Sequence, residues 1–333
     1  MKAVITMEKS RVLLFYIYSV LKQYSDETHP LNSTQILRHL EMQYQIQINR
    51  GTLYHHIQAL QDYGIDIKNA KCINDGKYLV DRQLEKSEVF LLINAIHSAH
   101  FIPASQSKQL IEKLMETQSI YFQKEYRYLQ VIHNRKKSPN KAFFLNIEVI
   151  LDAIDKKCAV TFYYMHYTVD KKMKCEDQKL HIVYPIHIVT ENGNTYLIGS
   201  HKRHKDSIIH YRVDKITRIQ LLEHDVDATI KRDFDPYTYT STKPFMFGGA
   251  IQKVILRCHL SILDDVIDLF GNEIMIIPYR NQPYFDVSVS ASRQGIIYFA
   301  LQYLKYCELL EPTDIREEIK EILASNMKKY QVS

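Results

Sequence analysis

The amino-acid sequence predicts an α+β multidomain fold, because its length exceeds one ordinary core and its hydrophobic period changes along the chain. The 333 residues correspond to about two domains, and three small ones are possible. Apolar residues recur with a helical period up to residue 154, alternate from residue 160 to 222, and show both patterns after residue 250. The content of 46% hydrophobic and 24% charged residues is typical of a globular protein, and 9 Gly and 9 Pro exclude a collagen-like or low-complexity chain.

The N-terminal region contains three helix patterns followed by a hairpin signal. Asn32 can cap the second helix, with Gln35 completing a capping box, and Asn49 can cap the third helix. The sequence Asn-Asp-Gly at 74–76 indicates a tight turn between two short strands. Three short helices and a hairpin are the element order of a winged helix-turn-helix, so we expect a DNA-binding domain at residues 1–82.

The third helix has a polar outer face that suits DNA. In INRGTLYHHIQAL, a helical period near 100° per residue turns Leu53, Ile57 and Leu60 inward. Recognition helices place outward side chains at the base edges of the major groove. A solvated helix face is the alternative interpretation, and the flanking helices and hairpin favour DNA. The candidate DNA contacts on this helix and on the hairpin are Arg50, Thr52, His55, His56, Gln58, Lys71 and Lys77.

The remaining sequence continues with helices and then changes to short strands. Five short strands with turn signals between them are typical of a small antiparallel barrel of the SH3-like kind. Two polar stretches, 171–174 and 201–207, are expected to be loops. The predicted segments are a helical linker at 83–141, the barrel with a leading helix at 142–224, a linker at 225–249, and a compact α+β domain of the ferredoxin-like type at 250–333.

Charge, cysteine content and hydropathy indicate which partners and which cellular compartment suit the protein. The 43 basic residues exceed the 38 acidic ones by five, so a polyanionic partner is compatible with the charge. The five cysteines form no CxxC pair, which favours a reducing compartment over a disulfide framework. No apolar run reaches the roughly 18 residues that a membrane span needs. We therefore expect a cytoplasmic protein without a membrane partner.

The barrel region is rich in histidine and tyrosine but lacks enzyme signatures. Its seven histidines between 166 and 224 show no HxH or HExxH spacing, so we expect no metal. Tyrosine-rich strands beside HKRHK favour an anion or an oligonucleotide, while a tyrosine core with a solvated loop is the alternative. The chain contains no GxGxxG, P-loop or GxSxG motif, and Gly248-Gly249 is too short to hold a phosphate without support. We expect no cofactor and no enzymatic activity.

The segment YPIHIVTENGNTYLIGSHKRHKDSIIHYRVDKITRI, residues 184–219, resembles a known motif. It supplies Pro185 on one strand, Tyr196-Leu197 on the next, and YRVDKI at 211–216 on a third. With the order of parts along nearly the whole chain, the sequence is similar to the bacterial WYL-domain transcriptional regulators. Two positions depart from the family pattern: Thr195 replaces the Trp, and Lys215 replaces the second Arg.

The resemblance implies an Sm-like barrel that senses a nucleic-acid-type effector, such as single-stranded DNA or a nucleotide. Arg212 and Lys215 would hold phosphate, and Tyr164 or Tyr196 would stack on a base. Asp214 is expected to orient an arginine or cap a turn. Neighbouring strands add two weaker candidates, His187 and His210.

These observations together predict a ligand-responsive, DNA-binding transcriptional regulator. It would bind a double-stranded operator as a homodimer, because one short recognition helix contacts few base pairs. Two other functions stay open. One is a histidine-dependent nuclease, and the other is an accessory nucleic-acid-binding module of a defence system.

Overall fold

The computed structural model describes residues 12–70, 76–80, 82–130, 137–175, 178–201, 204–226 and 234–331. The chain divides into two compact units between Lys141 and Ala142. Each unit combines helices with antiparallel strands, so the mixed α and β content predicted from the hydrophobic periods is confirmed. Among the described residues, no helix combines the length and apolar character that crossing a bilayer requires.

The first unit begins with three helices and a two-stranded hairpin. These elements are α1 (Leu13–Tyr24), α2 (Ser33–Tyr44), α3 (Arg50–Asp62), β1 (Ile67–Asn69) and β2 (Lys77–Leu79). Both predicted caps are present, since the side chains of Asn32 and Asn49 accept from the amides of Gln35 and Thr52. The elements follow the predicted order, and their assignment to the winged helix-turn-helix class stays a prediction. The helices and hairpin enclose a core that includes Ile17, Val20, Leu21, Ile36, Leu40, Leu53, Ile57 and Leu79.

The described residues from Lys86 to Gln130 are mainly helical, as the sequence predicts. They form α4 (Lys86–Ser98), α5 (Ala104–Met115), α6 (Ile120–Glu125) and a 3-10 turn at Arg127–Gln130. A buried carboxylate connects this part to the start of the unit, because Asp26, which follows α1, accepts a hydrogen bond from Ser119 Oγ at 2.6 Å. Its helices share a separate core formed by Val89, Ile93, Ile111, Met115, Phe122 and Leu129.

The second unit begins with α7 (Phe143–Lys156), which packs on a five-stranded sheet. The strands are β3 (Cys158–Tyr164), β6 (Leu180–Glu191), β7 (Asn194–His201), β8 (His204–Arg212) and β9 (Ile216–Val226), in the spatial order β8-β7-β6-β3-β9. All pairs are antiparallel. The finer description as an Sm-like barrel stays a prediction.

Both stretches expected to be loops contain strand residues instead. A small hairpin pairs β4 (His166–Tyr167) with β5 (Met173–Lys174), so the expectation of a loop at 171–174 is wrong for its second half. Strand β7 extends to His201 and β8 starts at His204, and these two residues are paired, so the expectation of a loop is wrong for His201 and for 204–207. Polar residues can form these strand ends because the backbone hydrogen bonds between β7 and β8 do not require apolar side chains.

The segment that the sequence analysis treats as a linker contains ordered structure. Helix α8 (Pro236–Ser241) and a 3-10 turn at Pro244–Met246 lie within residues 234–249. We call these residues the covering segment, because Tyr239 and Met246 are buried against Val189, Tyr196 and Ile198 of the five-stranded sheet.

The chain ends in an α+β arrangement with one four-stranded antiparallel sheet. Its elements are β10 (Ile251–His259), α9 (Leu263–Phe270), β11 (Met275–Pro278), β12 (Tyr284–Ser292), α10 (Arg293–Gln302), β13 (Cys307–Glu311) and α11 (Thr313–Gln331). The strand order is β11-β12-β10-β13. The core between sheet and helices includes Leu256, Phe285, Val287, Ile296, Phe299 and Ile315.

Candidate functional site

The outward face of α3 carries most of the candidate DNA contacts. Arg50, His55 and Gln58 are exposed, and Thr52 is half-buried, whereas Leu53 and Ile57 on the opposite face are buried. The Asn49 side chain accepts from the Thr52 amide at 2.8 Å, which fixes the start of the helix. The polar residues therefore share one accessible surface on a capped helix.

The other DNA candidates lie beside this surface. Arg50 Nη2 donates to Thr34 Oγ1 at 3.1 Å, which ties its guanidinium to the start of α2. Lys77 on β2 donates to Asn69 Oδ1 at 2.6 Å across the hairpin. His56 is half-buried, and burial, with the neighbouring His55, lowers its pKa. Lys71 lies outside the described residues.

A bidentate ion pair joins Arg212, at the end of β8, to Asp214 in the turn that follows. Arg212 Nε and Nη2 donate to the two carboxylate oxygens at 3.1 and 2.9 Å, as a planar fork. Asp214 is only 4% exposed. Burial disfavours the charged guanidinium, but the bonds to Asp214 outweigh it and raise the pKa of Arg212. The expectation that Asp214 orients an arginine is confirmed by these contacts.

Two tyrosines and a lysine surround this ion pair. The Tyr164 hydroxyl accepts from the Arg212 amide at 3.2 Å, and burial raises the pKa of Tyr164 to about 12. Tyr196 lies directly opposite Arg212 across β7 and β8 and is 8% exposed. Burial, followed by the charge of Arg212, lowers the pKa of Lys215. Asn146 on α7 supports the turn that carries these residues, since it donates to Val213 O and Ile216 O.

The two weaker histidine candidates differ in their surroundings. His210 Nδ1 is 2.9 Å from the Tyr239 hydroxyl of the covering segment, and burial lowers the pKa of His210. His187 is exposed, and its Nδ1 donates to Ile188 O. Both histidines pair with Ile198 from opposite sides, so they lie two strands apart. The structure thus brings together Tyr164, Tyr196, His210, Arg212 and Lys215, and it leaves His187 apart from them.

Comparison with known proteins identifies this sheet. A sequence model of the WYL domain family matches residues 146–221, which span α7 and most of the five-stranded sheet. This chain carries a WYL domain. The resemblance predicted from the motif at 184–219 is therefore confirmed.

Relatives and similar structures were found for most of the chain. A Bacillus subtilis (strain 168) protein named "Uncharacterized HTH-type transcriptional regulator YobV" is 22% identical over 298 residues, which cover 86% of this chain and 91% of that protein. The proteasome accessory factor B/C of Arthrobacter aurescens is similar at 14% identity and a TM-score of 0.29. The match covers 97% of this chain and 49% of that one, so this chain spans about half the length of that protein. A CRISPR Cas-related protein is similar at 14% identity and a TM-score of 0.39, over 96% of this chain and 93% of that one.

The residue that replaces the family's Trp lies inside the WYL domain. Thr195 is 3% exposed, and its hydroxyl is 3.2 Å from that of Thr190, its partner on β6. Because side chains alternate along a strand, Thr195 points away from the face that carries Tyr196. The replacement therefore changes packing on the opposite face of β7.

Sequence reasoning missed a hydrogen-bonded chain within the WYL domain. His201 Nδ1 lies 3.1 Å from Ile182 O and donates to it, because a carbonyl oxygen can only accept. With its proton on Nδ1, the ring accepts at Nε2 from the Tyr211 hydroxyl, 3.3 Å away. His181 Nδ1 lies 2.9 Å from the same hydroxyl and donates to it. These three residues lie on separate strands, so no local sequence signal could have found them. Among the described residues, no group of three or more His, Cys, Asp or Glu side chains could hold a metal ion.

The covering segment was missed for a different reason. Its contact residues Tyr239, Lys243 and Met246 have a helical spacing, but Pro236 and Pro244 lie so close together in the segment that a linker is the simpler interpretation of the sequence. A local signal did exist, because Asp235 caps α8 and Pro236 occupies its first turn. That signal predicts the helix, but it does not predict that Tyr239 bonds to His210 across 29 residues of sequence.

Proposed function

We propose that this chain is a DNA-binding transcriptional regulator whose WYL domain senses a nucleic-acid-type effector. The WYL domain supports this proposal, and so does the Bacillus subtilis relative, which is named an HTH-type transcriptional regulator. The first unit would bind the operator, and the second would bind the effector. A homodimer is part of the proposal, because a two-fold operator doubles the base contacts of one short helix.

The outward face of α3 is the observation that carries the DNA-binding proposal. Arg50, Thr52, His55 and Gln58 combine donors and acceptors that match base edges and phosphates, on a helix held by an apolar core on its other side. Lys77 on the adjacent hairpin adds a positive charge suited to the DNA backbone. A helix that served only as a solvated surface would show no sequence preference for DNA.

Selection of bound DNA from a random pool with the full-length protein tests this proposal. A regulator should enrich one sequence, with half-sites spaced by about one helical turn if it binds as a dimer. Arg50→Ala with His55→Ala should weaken binding to the selected DNA in a gel shift. The control is Lys108→Ala with Lys113→Ala, which removes exposed positive charge from α5 of the same unit. An unchanged gel shift for the α3 pair would contradict the assignment of this helix.

The sensor part of the proposal rests on Arg212 and its surroundings. Asp214 occupies Nε and Nη2 of the guanidinium, so a phosphate group would approach through Nη1. Tyr164, Tyr196 and Lys215 lie around this ion pair, and they would supply aromatic surface and a second positive charge. His187 would at most contact a distant part of the ligand, because it lies two strands from His210.

Titration of full-length protein with a short oligothymidylate tests the sensor. Arg212→Ala should abolish binding, and the variant should be measured together with Arg212→Ala/Asp214→Asn, which also removes the buried negative charge. Arg218→Ala on β9 is the control, because it removes an exposed arginine from the same domain. Wild-type affinity in both Arg212 variants would reject Arg212 as a ligand contact. Metal analysis of the purified protein, and a nuclease assay with and without chelator, distinguish an effector sensor from a nuclease.

A further inference from the structure

A buried lysine of the covering segment forms no ion pair with any carboxylate of the described residues. Lys243 is 6% exposed. Its Nζ lies 3.4 Å from Gly249 O, at the long end of hydrogen bonding, and 4.9 Å from the centre of the Tyr239 ring. Among the residues that the structure describes, no Asp or Glu oxygen lies within ion-pair distance of this ammonium group. A buried charge without a counter-charge is unfavourable, so an anion bound beside this ammonium group would be favourable.

The surroundings of Lys243 are suited to such an anion. His210 lies nearby, with Nδ1 2.9 Å from the Tyr239 hydroxyl. Burial lowers the pKa of His210, a backbone hydrogen bond at Met246 opposes this, and the charge of Lys243 lowers it further. Gly248 lies against the His210 ring, since a Cβ added to it would be 3.8 Å from Cε1. Gly249 has φ +115, a conformation that side chains rarely adopt, and both glycines are exposed. The turn therefore leaves backbone accessible next to the ammonium group of Lys243 and the ring of His210.

We propose that Lys243, His210 and the Gly248–Gly249 turn form a binding subsite for a phosphate-type oxyanion, where the covering segment crosses the WYL domain. Two glycines alone are too short to hold a phosphate, but here the buried ammonium of Lys243 supplies the charge, and the His210 ring, held by Tyr239, lines the subsite. Lys243 would turn from Gly249 O to the anion, and the small glycines would let the anion approach the backbone. This subsite deepens the proposed sensor role and rests on it, because it adds a second contact for a phosphate-bearing effector.

Binding of two probes to the full-length protein tests the subsite. Inorganic phosphate and a short oligothymidylate are titrated at constant ionic strength. Lys243→Gln should weaken the affinity of a bound probe about ten-fold or more, because it removes a charge-assisted hydrogen bond. Lys243→Arg should keep most of the affinity. Lys253→Gln, which removes an exposed lysine from β10, should leave it unchanged. Binding of phosphate alone indicates a site for free phosphate, and binding of the oligonucleotide alone indicates a site for a nucleic-acid phosphate.

Hydrogen exchange on the wild-type protein tests the subsite without any substitution. A bound probe should slow amide exchange in the peptide that contains residues 243–250, relative to chloride at the same ionic strength. The proposal is overturned if neither probe binds and protects this peptide, or if Lys243→Gln binds like the wild type. These titrations contain no operator DNA, whereas the DNA selection contains no added phosphate. Failure of the subsite is therefore distinguishable from failure of the regulator function.

Discussion

Replacing Asp26 by asparagine should destabilise the first unit far more than a similar change on its surface. Asp26 is 5% exposed and lies between α1 and α2. One carboxylate oxygen accepts from the His29 amide at 2.9 Å, from the Thr28 hydroxyl at 2.8 Å and from His29 Nδ1 at 2.8 Å. The other accepts from Ser119 Oγ at 2.6 Å. An amide of the same shape keeps the volume but loses the negative charge that all these donors share.

The magnitude of the destabilisation by Asp26→Asn follows from the pKa of Asp26. Burial alone would raise it, but hydrogen bonds from Ser119, His29 and Thr28 outweigh burial and lower the pKa from 3.8 to about 2. At 1.36 kcal/mol per pH unit, this difference corresponds to about 2.5 kcal/mol between the charged and the neutral carboxyl. Because the pKa is lower in the folded protein, this stability is present above pH 3.8 and is lost as the pH falls toward about 2.

Urea unfolding of full-length protein, followed by hydrogen exchange of peptides around residues 20–30 and 117–126, measures the effect. Asp26→Asn should lower the free energy of unfolding by about 2.5 kcal/mol at pH 7. The control Asp66→Asn removes a carboxylate that is 48% exposed and pairs with Lys68 at 3.4 Å, so it should cost less than about 0.5 kcal/mol. The difference between wild type and Asp26→Asn should shrink as the pH approaches 2. Equal losses for both variants, or a loss that does not depend on pH, would refute the reasoning.

Three further substitutions test the site and its supports. Arg212→Ala removes the fork that neutralises the buried Asp214 and should lower the free energy of unfolding by about 3 kcal/mol. Adding Asp214→Asn should recover part of this loss, and urea denaturation of both variants measures it. Gly199→Ala would place its Cβ 2.5 Å from Tyr184 O and should destabilise the WYL domain by about 2 kcal/mol in thermal unfolding. Asn49→Ala removes the cap of α3 and should cost about 1 kcal/mol by circular dichroism, together with a loss of DNA affinity in the gel shift.

The local signals in the sequence were sufficient for the helices of the first unit. Asn32, Gln35 and Asn49 are at the predicted cap positions, and Leu53 and Ile57 are buried as the helical period predicts. A cap depends on residues three positions apart, and a buried stripe depends on the period of one helix. Both are therefore properties of a short stretch of chain, which is why they could be predicted without tertiary contacts.

The strands around 201–207 could not be predicted in the same way. His201 and His204 are polar, and their stretch has the composition of a loop. They are strand residues because β7 and β8 continue to pair up to this point, and backbone hydrogen bonds between strands do not require apolar side chains. Pairing of this kind is set by the neighbouring strand, so composition within the stretch carries little information about it.

The replacement of Arg by Lys at 215 has a different meaning in the structure than in the sequence. From the motif alone, Lys215 loses the bidentate fork that an arginine would offer a phosphate. In the structure, Nε and Nη2 of Arg212 already bind the carboxylate of Asp214, so Arg212 itself has no open fork on that edge. The cations around the site are Arg212, Lys215 and Lys243, against the carboxylates of Asp214 and Glu191, so positive charge exceeds negative charge by one when His210 is neutral. If the proposed sensor function holds, an anion would therefore contact Nη1 of Arg212 and the ammonium groups of Lys215 and Lys243, rather than a bidentate fork.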